Sequence, residues 1–109
     1  MRREGEVYYN TTYAGVVWQD DEGYGFQYAP GYLKRKAAQP LSLTLPLQAE
    51  PFTSRALLPF FDGLIPEGWL LQLGASYWKL ERRDRMGLLL ALCHDCIGAV
   101  SVRPTSIAE

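Results

Sequence analysis

The sequence predicts an α+β fold: one small antiparallel sheet of about five strands, with three or four short helices packed on it. Three observations point there. The first 28 residues are rich in Val, Tyr and Trp and are broken by two polar turns. Residues 41–47 place a leucine at every second position. Near the end of the chain, Met86, Leu89, Leu90 and Cys93 fall at i, i+3, i+4, i+7, the spacing of a core-facing helical stripe.

Taken in order, Glu6–Tyr9 and Tyr13–Gln19 flank Asn10-Thr11-Thr12, which predicts a β-hairpin. Asp20-Asp21-Glu22-Gly23 forms a second turn into a third strand over 24–28. There Tyr24, Phe26 and Tyr28 alternate with Gly25 and Gln27, so their rings share one face. Ala29-Pro30-Gly31 ends this meander, and residues 32–38 are expected to make a helical turn or short helix. Leu41, Leu43, Leu45 and Leu47 alternate with Ser42, Thr44 and Pro46, which reads as a half-buried strand. Pro46 lacks an N–H and places that end at a sheet edge.

Thr53 or Ser54 is a candidate N-cap for the apolar stretch that follows. Pro59 must kink that helix or restart it. Residues 67–78 are expected to be helical, Asp84 is a candidate N-cap for a helix over 85–93, and residues 97–102 return as a strand.

A chain of 109 residues suffices for one domain that buries about two-thirds of its unfolded surface, spanning residues 1–109. Its net charge of −1 gives no field that would draw it to nucleic acid or an acidic membrane. The start of the chain has no signal-peptide pattern, and the apolar run around 87–93 is too short to cross a bilayer. With two cysteines, these features lead to the expectation of a cytoplasmic protein with reduced thiols.

Little in the sequence carries chemistry. There is one histidine, His94, and no Gly-rich phosphate cradle followed by Lys and Ser/Thr. Nothing resembles a kinase catalytic loop, so the chain is expected neither to bind ATP nor to transfer phosphate. Cys93-His94-Asp95-Cys96 is open to two readings. It offers too few ligands for a tetrahedral zinc, and it sits at a helix C-terminus, where thiolates are not favoured. The alternative is one core cysteine ending a helix and another starting a strand. Folding without metal, cofactor or disulfide is the expectation.

The basic spots, Lys34-Arg35-Lys36 and the cluster Lys79, Arg82, Arg83 and Arg85, read as solvated surface or a protein-contact rim rather than a nucleic-acid site. Asp20-Asp21-Glu22 reads as a hairpin tip in preference to a cation site.

Four segments stand in a specific order. They are Phe26-x-Tyr28-Ala29-Pro30 with Tyr32-Leu33, then residues 40–47 (PLSLTLPL), then residues 60–68 (FFDGLIPEG), then Asp95-Cys96-Ile97-Gly98-Ala99-Val100. In that order they resemble the N-terminal subdomain of HipA-type Ser/Thr kinases, the toxins of bacterial toxin–antitoxin modules, over residues 13–103. The resemblance implies a small curled sheet with helical decoration, and a subdomain lying outside the kinase's ATP and catalytic sites. In length and span the chain is similar to the HipS-like antitoxins of tripartite HipBST modules. There a shortened HipT-like kinase lacks the subdomain, a separate small protein supplies it, and HipB is a DNA-binding partner. The implied function is an antitoxin that binds and inhibits a HipT-like kinase, with a HipB-like protein as a further candidate partner. The alternative is a non-inhibitory accessory subunit, a split-off piece that completes a HipA-type kinase. Neither reading involves direct contact with nucleic acid or membrane.

Inhibition without chemistry must come from contact. Pro66-Glu67-Gly68 makes a turn into a helix start, which puts Trp69 at the margin of the inward face beside Gln72. Trp69, with Pro66, Glu67, Gly68 and Gln72, is the candidate partner-binding set. A large ring on a turn can plug a cleft, and Glu67 can meet a basic group. The competing reading is that Trp69 packs in the core.

Overall fold

The computed structural model describes residues 2–65, 84–93 and 99–104. They form one small domain dominated by a five-stranded, wholly antiparallel sheet of order β4-β3-β2-β1-β5. The strands are β1 (Arg3–Tyr9), β2 (Thr12–Asp20), β3 (Gly23–Tyr28), β4 (Phe52–Ser54) and β5 (Val100–Pro104). Three short helices belong to the described residues: α1 (Pro30–Leu33), α2 (Pro59–Asp62) and α3 (Arg85–Leu92).

The meander forms where the sequence places it. Asn10 takes a left-handed φ of 56° in the first turn. In the second, Asp20 accepts from the backbone N–H groups of Glu22 (2.9 Å) and Gly23 (3.2 Å). Gly23 has φ 140°, and a Cβ there would lie 2.5 Å from the Ser54 carbonyl oxygen, so only glycine fits. Asp20 therefore closes the turn at this hairpin tip. Opposite Val7 and Tyr8 the register skips Ala14, a bulge that adds local twist to β2.

One face of the sheet carries the core. Val7, Val17, Phe26, Tyr28 and Val102 are buried together with Phe61, Ile65, Met86, Leu88 and Leu89. Phe26 sits among rings, 4.9 Å from Tyr28 and 5.2 Å from Phe61 between centroids. The stripe on α3 is in place: Met86, Leu89 and Cys93 are buried and Leu90 is half-buried. Leu88 is buried as well, so the buried face of the helix is wider than the simple stripe.

Two expectations are corrected. The leucine run is not a strand. Residues 42–45 close a tight turn, with a single bridge between Ser42 and Leu45. Leu41 and Leu45 point into the core while Leu43 is 99% exposed. The backbone of this run does not need a sheet partner, because the Tyr28 hydroxyl accepts from Leu41 N (2.9 Å) and donates to Leu45 O (2.5 Å). The fifth strand is instead Phe52–Ser54, paired to β3 through Tyr24, Gly25 and Phe26. Thr53 and Ser54 therefore lie in a strand and cap no helix; α2 begins at Pro59, after Leu58 as N-cap. The expected helix over 32–38 is the single turn of α1 followed by turns at Arg35 and Ala38. The helix expected over 67–78 lies outside the described residues, as do residues 97 and 98 of the last strand.

Asp84 caps α3 as expected, accepting from Gly87 N at 3.1 Å. Arg3 of β1 holds the same carboxylate with a forked pair of bonds, 2.9 and 2.7 Å, and also donates to Gln19. The Arg3 bond holds the Asp84 carboxyl below its ordinary range, against an opposing effect of burial, with the Gly87 N–H adding to it. A carboxyl depressed in the folded state stabilises the fold above its unfolded pKa of about 3.9, and that stability is lost as pH falls through the folded value. Arg3→Ala is therefore expected to lower the melting temperature at pH 7 and to narrow its deficit against wild type below about pH 4. The pair is more than one-third exposed, so the cost at pH 7 is expected to be no more than about 1 kcal/mol. A deficit unchanged at pH 3 would assign Arg3 a packing role only.

Candidate functional site

The candidate contact set Pro66, Glu67, Gly68, Trp69 and Gln72 lies outside the described residues. What the structure describes is the mount on either side of it. On the entry side, α2 ends in turns closed by Gly63 N to Pro59 O (2.9 Å), Leu64 N to Phe61 O (3.0 Å) and Ile65 N to Asp62 O (3.2 Å). Phe61 and Ile65 are buried, so the chain is fixed to the core up to the residue before Pro66. On the far side the described residues resume at Asp84, held by Arg3 and by the start of α3.

Two bonds tie these ends together. Arg85 Nε donates to Asp62 Oδ1 at 2.7 Å, and the Cys93 thiol donates to the Leu64 carbonyl oxygen at 3.2 Å. Sequence reasoning missed both. It read Arg85 as part of a basic cluster and Cys93 as a core cysteine ending a helix. No local signal pairs residues 23 and 29 positions apart. Cys93 is buried at the end of α3, which fits the packing reading; His94, Asp95 and Cys96 lie outside the described residues. Of the second basic cluster, only Arg85 is described, and it is paired with Asp62.

Elsewhere the described surface includes two open grooves. One, of about 410 Å³, runs beside Trp18, Asp20, Tyr24 and Arg55. The other, of about 310 Å³, lies between the first hairpin turn and Arg35 and Gln39. Asp20 is occupied in closing its own turn, and Tyr32 donates to the Gln39 carbonyl at 2.5 Å. Neither groove brings together a nucleophile, a base and an oxyanion donor. Among the described residues no group of three or more His, Cys, Asp or Glu could hold a metal ion. No described helix is long and apolar enough to cross a membrane.

Comparison with known proteins identifies the architecture. Residues 5–103 match the family model of the HipA N-terminal domain. A solved structure of the N-terminal domain of HipA toxin superposes with a TM-score of 0.71 at 28% identity, covering 95% of this chain and 93% of that one. An uncharacterized protein of Haemophilus influenzae is 34% identical over 101 residues, 93% of this chain and 92% of its own length. The putative kinase Y4mE of Sinorhizobium fredii is 34% identical over 99 residues, 90% of this chain but only 24% of its own length. On its match over residues 5–103, the chain belongs to the HipA N-terminal domain family.

Proposed function

We propose that this chain, residues 1–109 acting as one domain, is a HipS-like antitoxin of the cytoplasm that binds a HipT-like Ser/Thr kinase and inhibits it by contact. One observation carries the reading. The same domain makes up about a quarter of a putative kinase in Sinorhizobium, yet in Haemophilus the match fills nearly all of a small protein. A domain found both within a putative kinase and as nearly the whole of a small protein has a ready-made surface for a kinase. Its work is binding, not chemistry, and a HipB-like DNA-binding protein is the further partner proposed for the assembly.

The contact is assigned to the segment that follows Ile65 in sequence, with Trp69 as its anchor and Pro66, Glu67, Gly68 and Gln72 as the rest of the set. The reading is supported by the residue types alone: partner-binding hot spots are enriched in Trp, and Glu67 can meet a basic group of the kinase. Trp69→Ala is expected to leave the melt unchanged and to weaken kinase inhibition by about 2 kcal/mol or more, roughly thirtyfold. Co-expression with the kinase, scored as rescue of growth, is the readout. Lost rescue with an unchanged melt supports the contact. A collapsed melt returns Trp69 to the core, and full rescue removes it from the mechanism.

A second reading has the Sinorhizobium protein in its favour. Where the domain is built into a putative kinase, it is compatible with the rest of that protein, as an accessory subunit would be. Rescue by the wild-type chain decides for the antitoxin; unchanged toxicity decides for the accessory subunit.

A further inference from the structure

Charge is not spread evenly over this chain. Lys34, Arg35 and Lys36 are exposed, and no acidic residue stands between Glu22 and Glu50. The other described cations have acidic company. Arg2, Arg3 and Arg85 pair with Glu4, Asp84 and Asp62, Arg103 lies opposite Glu6 in the sheet, and Arg55 shares a groove with Asp20 and Glu22. Among the described residues, the 34–36 loop alone has none.

The backbone of this loop is nonetheless held. Lys34 N donates to Pro30 O and Arg35 N to Tyr32 O, both at 3.2 Å. The Tyr32 hydroxyl clasps Gln39, donating to its carbonyl (2.5 Å) and accepting from its N–H (3.3 Å). Arg35 lines the groove of about 310 Å³ together with Asn10, Thr11 and Thr12 of the first hairpin turn, and no acidic group lines it. A guanidinium beside an amide and two hydroxyls is rich in donors. It suits a carboxylate, which can accept two parallel bonds from arginine.

The far end of the hairpin has the opposite sign. β2, nine residues long, runs from this turn to Asp20. At roughly 3.3 Å per residue, the acidic tip of Asp20, Asp21 and Glu22 is about 30 Å away. The net charge of −1 thus hides a basic end and an acidic tip. Three cations in one loop cover only about three phosphates, and the acidic tip opposes a long polyanion, so nucleic acid is a poor match. A second copy would bring its acidic tip to this loop only head to tail, an arrangement that stays open at both ends. The charge favours a partner protein with an acidic patch.

We propose that the 34–36 loop and its groove receive an acidic segment of the kinase, a carboxylate docking on Arg35, and that this contact speeds formation of the complex. This rests on the reading of the partner as a HipT-like kinase. Charges at the rim of an interface act chiefly on the association rate and on its salt dependence.

Stopped-flow association with a catalytically inactivated HipT-like kinase of the same organism tests it at low and high salt. The chains compared are wild type, Arg35→Gln, and a triple variant carrying Lys34→Glu, Arg35→Glu and Lys36→Glu. The expected result is a wild-type rate that falls with added salt and a triple-variant rate lower by about tenfold or more at low salt, a deficit that narrows at high salt. Arg35→Gln is expected to fall between the two, with equal melts throughout, and it carries the comparison if the triple variant melts early. Association as fast as wild type overturns the docking of an acidic segment and leaves the antitoxin reading standing, as does a deficit that salt does not narrow. No binding by wild type overturns both. Wild-type self-association in sedimentation, or a wild-type shift of duplex DNA, that the triple variant abolishes overturns the proposal in favour of a second copy or of nucleic acid.

Discussion

Phe26→Ala is expected to cost about 3–5 kcal/mol of unfolding free energy, measured by urea denaturation with an unchanged slope. Phe26 is fully buried and lies where four elements meet. Its backbone pairs with Val17 of β2 and Phe52 of β4, and its ring lies 5.2 Å from Phe61 of α2 and 6.3 Å from Phe52. The void left by the ring cannot be filled from the sheet side, because backbone ladders fix β2 and β4. A domain of this size has about 5–15 kcal/mol in all, so the variant loses its fold only if wild type sits near the bottom of that range. A loss below about 1 kcal/mol would mean that the surrounding rings collapse into the gap.

Tyr28→Phe is expected to cost about 2–4 kcal/mol while leaving the aromatic packing intact. The ring stacks on Tyr32 at 5.8 Å and meets Phe26 edge-on, and phenylalanine preserves both contacts. What it removes is the one oxygen that serves Leu41 N–H and Leu45 C=O. Each buried group left unsatisfied costs about 1–3 kcal/mol. Faster hydrogen exchange at the Leu41 amide would localise the effect. The pH dependence supplies a separate check. Burial raises the Tyr28 phenol above its ordinary value, with the bond from Leu41 opposing it. The folded state therefore favours the protonated form, and stability is lost as pH rises above the unfolded pKa of about 10. Wild type is expected to lose stability there, and the phenylalanine variant to lose less.

The same tyrosine explains why the leucine run could not be read correctly. Alternating leucines are equally compatible with a half-buried strand and with a turn whose two stems are buried. The choice was made by a hydroxyl 13 and 17 residues back along the chain, which no local pattern contains. The meander was legible because its signals are local: ring-bearing strands, an Asn turn, and an acidic turn ending in Gly23. The cap at Asp84 was legible for the same reason. Phe52–Ser54 was not, since three residues are too few to show a period and they are extended because β3 offers them an edge. Beside the candidate segment, the pairing of Asp62 with Arg85 was not legible, because no local pattern links residues 23 positions apart.

The position of β5 also determines the order in which the molecule can be assembled. β1, β2 and β3 pair with neighbours in sequence, so they close only short loops and can form early. Val7, by contrast, takes its other partner from Val102. That closure spans nearly the whole chain and carries a correspondingly large entropic cost before any hydrogen bond offsets it. As the polypeptide emerges from the ribosome, the meander therefore precedes its own completion, with one row of β1 amides and carbonyls unpaired until β5 has been synthesised. An open strand edge is a template for foreign strands. For this chain the interval between the third strand and the fifth is when it is most exposed to mispairing, and when the nascent chain is most in need of being left alone.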